Sequence, residues 1–202
     1  YISQPSLSAA IKKLEESLGA QLFERLGSGV TLTEIGKEYI LAAEKILEIG
    51  TAVGYSALCF STIPSVKRID TFERNDAMYK KALENIKKCQ KEDTVNSWFG
   101  DALEIDLKML SSDYDLLFID AAKAQSQKFF ERFLPFVKPN GLIIVDNMLF
   151  HGIKKTDPGI SRNVRQLVTK IERFTNWIKN NEMFDVTFYD GGDGLAVIKR
   201  KC

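Results

Sequence analysis

The apolar positions of this chain follow two patterns, and the change falls near Lys45. Ahead of it, Leu7, Ile11, Leu14 and Leu18 recur at helical spacing and share one face. Ser3 can cap that helix, Pro5 sits in its early turn and Gly19 ends it. LFERL, a Gly-Ser-Gly turn and VTLT then read as a short hairpin. Thr33 caps a second helix that runs through Tyr39 and Leu41 toward Glu44. Beyond it, short apolar runs alternate with amphipathic stretches. The runs around Ile46–Ile49, KRIDTFE, Thr94–Phe99, YDLLFID and GLIIVDN predict five strands, with a helix over Asp76–Lys88. Segments 184–189 and 195–198 predict a terminal hairpin around a GGDG turn.

Strands alternating with helices imply an α/β fold with a mostly parallel sheet. The first strand breaks into a turn carrying Gly50 and Gly54, with Ser56 where the next helix begins. Glycines there let the backbone turn tightly and approach a ligand. Such a turn, at the carboxyl end of the first strand, is where open α/β sheets bind nucleotide-like cofactors. The second strand ends on Glu73, placed to bind two ribose hydroxyls. The third ends in Gly100-Asp101-Ala102, the fourth on Asp120, the fifth on Asp146 and Asn147. All these polar residues converge on one rim. Asp120, Asp146 and Asn147 suit helix capping; they also make an oxygen cage for a hard cation.

Composition narrows the setting. The length predicts one domain or one domain with an appendage, and 45% hydrophobic residues suffice for a core. No apolar run approaches the roughly 20 residues of a membrane span. The opening residues do not form a secretory signal. Cys59, Cys89 and Cys202 are scattered without metal-binding spacing, so a reducing, cytoplasmic setting is expected. A net charge of +1 does not announce a nucleic-acid binder, though a local basic patch remains compatible with one.

The stretches ILEIGTAVGYSA, FERN, FGDALE, DLLFIDAAKAQ, GLIIVDNMLFHG and GGDGLAVIKRK carry a resemblance. In that order, across residues 45–202, they resemble class I S-adenosylmethionine-dependent O-methyltransferases of the catechol and caffeoyl-coenzyme A type. They are most similar to the bacterial branch that methylates 5-hydroxyuridine in tRNA. The resemblance implies a Rossmann-like sandwich with a seven-stranded, mostly parallel sheet. It implies cofactor contacts at Glu48, Gly50, Thr51, Tyr55, Ser56, Glu73, Gly100, Asp101, Ala102 and Asp120. It implies Mg2+ held by Asp120, Asp146 and Asn147, with Lys123 and Asp120 catalytic. The acceptor is then a hydroxyl, of tRNA 5-hydroxyuridine or of a small catechol-like or acyl-linked phenol. A homodimer is compatible with the resemblance.

Residues 1–44 resemble part of the winged helix-turn-helix of LysR-type transcriptional regulators, through ISQPSLSAAIKKLEESLGAQLFER and GVTLTEIGKEYILAAEKIL. SQPSLS would begin the recognition helix, and the hairpin would be the wing. That family's pattern has two helices ahead of this stretch, and the segment has no basic excess. Specific DNA binding is therefore not expected. A fusion of two partial patterns, 1–44 and 45–202, is expected. A regulator whose second half serves as a sensor is the rival reading.

The remaining candidates each have an ordinary reading. Lys123, alone, is an exposed charge. His151, the single histidine, reads as a rim residue near the substrate. Lys154, Lys155, Arg162, Arg165, Lys170 and Arg173, against Asp157 and Glu172, read as a solvated helix face. For a tRNA substrate they would be the phosphate contact. Phe174 and Trp177 read as core, and Asp193 as a residue reaching toward the site.

Overall fold

The computed structural model describes residues 23–26, 29–32, 43–148, 153, 155–189 and 194–201. The helices expected over Ser3–Gly19 and after Thr33, His151 and Asp193 lie outside them. The expected hairpin is β1 (Phe23–Leu26) paired antiparallel with β2 (Gly29–Leu32).

The remaining strands form one sheet. They are β3 (Lys45–Ile49), β4 (Arg68–Glu73), β5 (Val95–Phe99), β6 (Tyr114–Ile119), β7 (Val137–Asp146), β8 (Phe184–Tyr189) and β9 (Leu195–Arg200). Their order is β5-β4-β3-β6-β7-β9-β8, with β9 antiparallel to both of its neighbours. From β3 the chain moves outward through β4 and β5, then returns to pair β6 on the other side of β3. Their carboxyl ends therefore diverge around a crevice, where sheets of this kind bind ligands. No described helix is long and apolar enough to cross a membrane.

Period-two alternation explains the layers. Leu47 and Ile49 face one core, shared with Leu117, Phe130, Phe133 and Phe174. Ile46 faces the other, with Ala57, Ile69, Ile86 and Val95. Helices α1 (Tyr55–Phe60) and α2 (Asp76–Lys88) cover the second core. Asn75 caps α2 by accepting from the Met78 N–H at 3.0 Å, and Lys87 and Lys88 complement its last turn. Helices α3 (Ser126–Phe133) and α4 (Arg162–Lys179) cover the first core. Phe174 and Trp177 stack at 6.1 Å between centroids and meet Phe130, so they belong to the core.

Strand β7 begins four residues before GLIIVDN. Pro139-Asn140-Gly141 has the composition of a turn, yet here it forms an irregularity within the strand, where the pairing with β6 shifts register. A side chain on Gly141 would meet Val137 at 2.6 Å, so the irregular segment needs a glycine there.

Two buried carboxylates stitch strands together. Asp70 is fully buried and accepts from Tyr114 Oη at 2.6 Å, from Arg68 Nε and Nη2 at 2.7 and 3.0 Å, and from Trp98 Nε1 at 3.3 Å. Burial, and then Asp70 itself, raise the Tyr114 hydroxyl well above its usual range, so it stays a donor. Glu48 is buried on β3 and accepts from the Thr71 hydroxyl of β4. Thr71 Oγ1 lies 2.6 Å from Thr51 Oγ1. With Thr71's proton committed to Glu48, Thr51 is the donor in that contact. Burial pushes the Glu48 carboxyl up to about 7; the Ser56 and Thr71 hydroxyls oppose the rise and the Asp120 charge adds to it.

Tyr114→Phe is expected to cost about 1–2 kcal/mol in urea unfolding, because Asp70 keeps its other donors. Asp70→Ala, which strands the donors around a buried site, should cost about 3–5 kcal/mol. Equal losses would show that the tyrosine alone carries the cluster. Glu48 sets a pH dependence. An exposed glutamate ionises near 4.5, whereas the folded one holds its proton to about 7. Its stabilisation is full below 4.5, declines across that interval and is gone above about 7. Glu48→Gln should remove up to about 3 kcal/mol of that decline. Unfolding midpoints of both proteins at pH 5 and pH 8 check this; parallel pH profiles would refute it.

Candidate active site

The crevice is built on the turn after β3. Gly50 has φ +109°, and the N–H groups of Gly50 and Thr51 both donate to the Phe72 carbonyl, at 3.1 and 3.0 Å. Across the crevice the Asp120 N–H donates to the Ile49 carbonyl at 2.9 Å. A Cβ on Gly50 would lie 2.1 Å from the Asp120 carbonyl oxygen. Only glycine lets the turn and the end of β6 close up this far.

Glu73, at the end of β4, is held by two backbone groups. Oε2 accepts from the Ala52 N–H at 2.8 Å and Oε1 from the Asn75 N–H at 2.7 Å. An ionised carboxylate offers about four acceptor sites, so roughly two remain for a ligand. Asp101 accepts from the Leu103 N–H at 2.9 Å and lies 3.6 Å from the Arg74 guanidinium. Arg132 reaches from α3 to the carbonyls of Ala102 and Ile105, at 3.1 and 2.7 Å, and holds the loop after β5 in place.

A cleft joins these pieces. Gly50, Glu73, Gly100, Asp101, Ala102 and Asp120 line it, as their strand-end positions predict. Ala52, Arg74, Ala121, Ala122 and Phe129 also line it and were not read from the sequence. Ala121 and Ala122 follow the β6 strand end directly, which was the available signal. The grip of Ala52 on Glu73 and of Arg132 on its loop join segments far apart in sequence, and no local pattern marks them. Glu48 and Thr51 are buried beneath the turn and do not line the cleft. Ser56 acts on Glu48, and Tyr55 is 41% exposed at the start of α1.

Beside the cleft, three side chains meet at the ends of β6 and β7. Lys123 Nζ lies 3.0 Å from Asp120 Oδ1, and Asn147 Nδ2 lies 3.3 Å from the same oxygen. Lys123 and Asp120 are 21% and 25% exposed, enough to be shielded yet reachable. Asn147 has φ +63°, and its backbone N–H donates to Asp146 Oδ1 at 2.7 Å. The next residue, Met148, ties the loop to β9 through the Gly194 carbonyl at 3.0 Å. Among the described residues no three His, Cys, Asp or Glu side chains gather as a metal set. Asp120, Asp146 and Asn147 offer two carboxylates and a carboxamide, hard oxygen groups of the kind that suit Mg2+. The residues present fit such an ion.

Comparison with known proteins accounts for both halves. Residues 38–201 match the O-methyltransferase family profile. Residues 1–37 match the bacterial regulatory helix-turn-helix profile of the lysR family. A caffeoyl-CoA O-methyltransferase of Populus kitakamiensis is 28% identical over 170 residues, covering 81% of this chain and 72% of the relative. A Staphylococcus aureus protein of known structure, provisionally named a caffeoyl-CoA O-methyltransferase, is 36% identical with a TM-score of 0.75, over 95% of this chain and 91% of that one. An O-methyltransferase from Bacillus cereus, solved in complex with SAH, is 26% identical with a TM-score of 0.67, over 96% and 91% of the two chains. With its seven-stranded sheet and a family match over most of its length, the chain belongs to the O-methyltransferase family and is an S-adenosylmethionine-dependent enzyme.

Proposed function

We propose that the enzyme transfers the methyl group to a ring hydroxyl flanked by a second oxygen, with a divalent cation at the rim, and that the favoured acceptor is 5-hydroxyuridine in tRNA. The observation that carries this reading is the meeting of Lys123, Asp120 and Asn147, with Asp146 adjacent, beside the glycine turn. When bound, S-adenosylmethionine supplies an electrophilic methyl and Mg2+ supplies positive charge that favours an ionised hydroxyl.

The chain's residues supply alignment and proton control. Glu73 takes the ribose hydroxyls on its remaining acceptor sites. Asp101, Ala102 and Phe129 border the adenine, and the bare Gly50 backbone admits the rest of the cofactor. Asp120, Asp146 and Asn147 hold the cation. Lys123 takes the acceptor's proton, or as an ammonium stabilises its oxyanion, as the oxygen–methyl bond forms and the sulfur–methyl bond breaks. The ammonium is stabilised by Asp120 at 3.0 Å. The 5-hydroxyl and O4 of the uracil ring are vicinal oxygens, as in a catechol, so one rim geometry suits both.

The second reading, a catechol-like or acyl-linked phenol, has the relatives named caffeoyl-CoA O-methyltransferases in its favour. The lysR-family match over residues 1–37 favours a DNA-binding role instead, for a much smaller part of the chain.

Methyl transfer from labelled cofactor to hydroxyuridine-bearing tRNA, to the free nucleoside and to catechol separates these readings. Asp146→Ala should abolish cation-dependent turnover while leaving cofactor affinity near wild type. Glu73→Ala should weaken cofactor binding by about 1.5–3 kcal/mol. Lys123→Met should lose about 10²–10⁴-fold in turnover at low pH and recover part of it at high pH, where the acceptor is already ionised. Full activity after chelation would refute the cation. A Lys123→Met defect equal at every pH would leave the lysine a purely electrostatic role.

A further inference from the structure

We propose that the outward face of α4, carrying Arg162, Arg165 and Arg173, docks the phosphate backbone of an RNA substrate beside the catalytic rim. The proposal rests on the reading of the acceptor as a tRNA base.

At about 100° per residue, α4 has two opposed faces. Val168, Ile171, Phe174 and Ile178 are buried against the sheet. Arg162, Arg165 and Arg173 are exposed on the opposite side, interleaved with Gln166, Thr169 and Asn176. None of the three arginines meets a carboxylate among the described residues. The helix's single acid, Glu172, is taken by Lys155 at 2.8 Å.

A solvated helix in the same protein looks different. On α2 the basic residues are all lysines, Lys80, Lys81, Lys87 and Lys88, and two of them pair on the helix: Lys80 with Asp76 at 2.6 Å and Lys81 with Glu84 at 2.9 Å. That is the mixed-sign surface that solubility requires. The outward face of α4 carries three arginines, whose planar forks match phosphate, and its flanking acid, Glu172, is taken by Lys155.

Position and length select the partner. β7 ends at the rim, and β8 starts at the opposite end of the sheet, because Asp146 and Tyr189 both register with Leu195. The helix between them therefore descends from the rim, with Arg162 and Arg165 uppermost. The helix also packs against the Lys123–Gln125 turn, so its outward face borders the same end of the sheet as the lysine proposed to serve the acceptor. From Arg162 to Arg173 is eleven residues, about 17 Å of axis. That span suits successive phosphates of a strand rather than one phosphate group. The face carries no apolar side chain to enter a lipid surface.

The test uses the full chain and the variant Arg162→Gln/Arg165→Gln/Arg173→Gln, with Arg→Lys at the same positions as the conservative control. The probe is an anticodon stem-loop RNA bearing 5-hydroxyuridine, followed by fluorescence anisotropy across salt concentrations. The glutamine variant should bind at least tenfold more weakly, and its salt slope should fall by about 2–3, roughly one per lost phosphate contact. The lysine variant should keep most of the slope. Methylation of free 5-hydroxyuridine should be unchanged, since it has no backbone to dock. Unchanged RNA affinity and slope in the glutamine variant, or no RNA binding by the unaltered protein, would overturn the proposal. So would an equal loss of affinity for coenzyme A, which would assign the face to that smaller phosphate ester. An inert nucleoside combined with the expected binding loss would count against the acceptor assignment and leave the docking face standing.

Discussion

The site depends on one close approach, the backbone of Gly50 against the carbonyl of Asp120. These residues end the two central strands, β3 and β6, on either side of the point where the chain order reverses. A Cβ would stand 2.1 Å from that oxygen, well inside contact distance. In the proposed mechanism, the contact sets how far apart the cofactor turn and the acceptor machinery sit. Methyl transfer needs a donor carbon and an acceptor oxygen held in line at near-contact separation, so the spacing of these two strand ends is a catalytic quantity.

The layers beneath the rim keep that spacing. On the cofactor side, Thr51, Thr71 and Glu48 link the turn to β3 and β4 under the surface. The Ala52 and Asn75 amides then fix Glu73 above it. On the acceptor side, Lys123 and Asn147 share one oxygen of Asp120. Nearer the opposite end of the sheet, Asp70 joins Arg68, Trp98 and Tyr114 from three strands. Arg132 fixes the loop after β5.

Much of this was legible in the sequence because it is local. Alternation and strand-end position place Glu73, Asp101, Asp120, Asp146 and Asn147 on one edge, and the glycine turn marks which edge matters. Other features are hidden for physical reasons. The resemblance implies a cofactor contact at Glu48, while alternation from Ile46 puts its side chain on the inner face under α1, where it is buried and accepts from Thr71. The start of β7 ahead of GLIIVDN is hidden because Pro139-Asn140-Gly141 gives an irregular strand the composition of a turn. Arg132 and the Ala52 amide act across folds of the chain that no local period encodes. The docking face proposed on α4 becomes visible only when the buried side of the helix is known, since the charge run alone does not separate a docking face from a solvated one.

The measurement that bears most directly on this account is calorimetric titration of Gly50→Ala with S-adenosylmethionine, alongside its thermal unfolding. The clash with the Asp120 carbonyl and the positive φ both forbid a methyl group at this position. The turn must therefore shift away from β6. The account predicts a folded protein of lowered stability whose cofactor affinity falls at least tenfold, with methyl transfer lost in parallel. Wild-type affinity and wild-type stability in the alanine variant would contradict it, because the approach of Gly50 to Asp120 would then set neither the cofactor turn nor its distance from the acceptor.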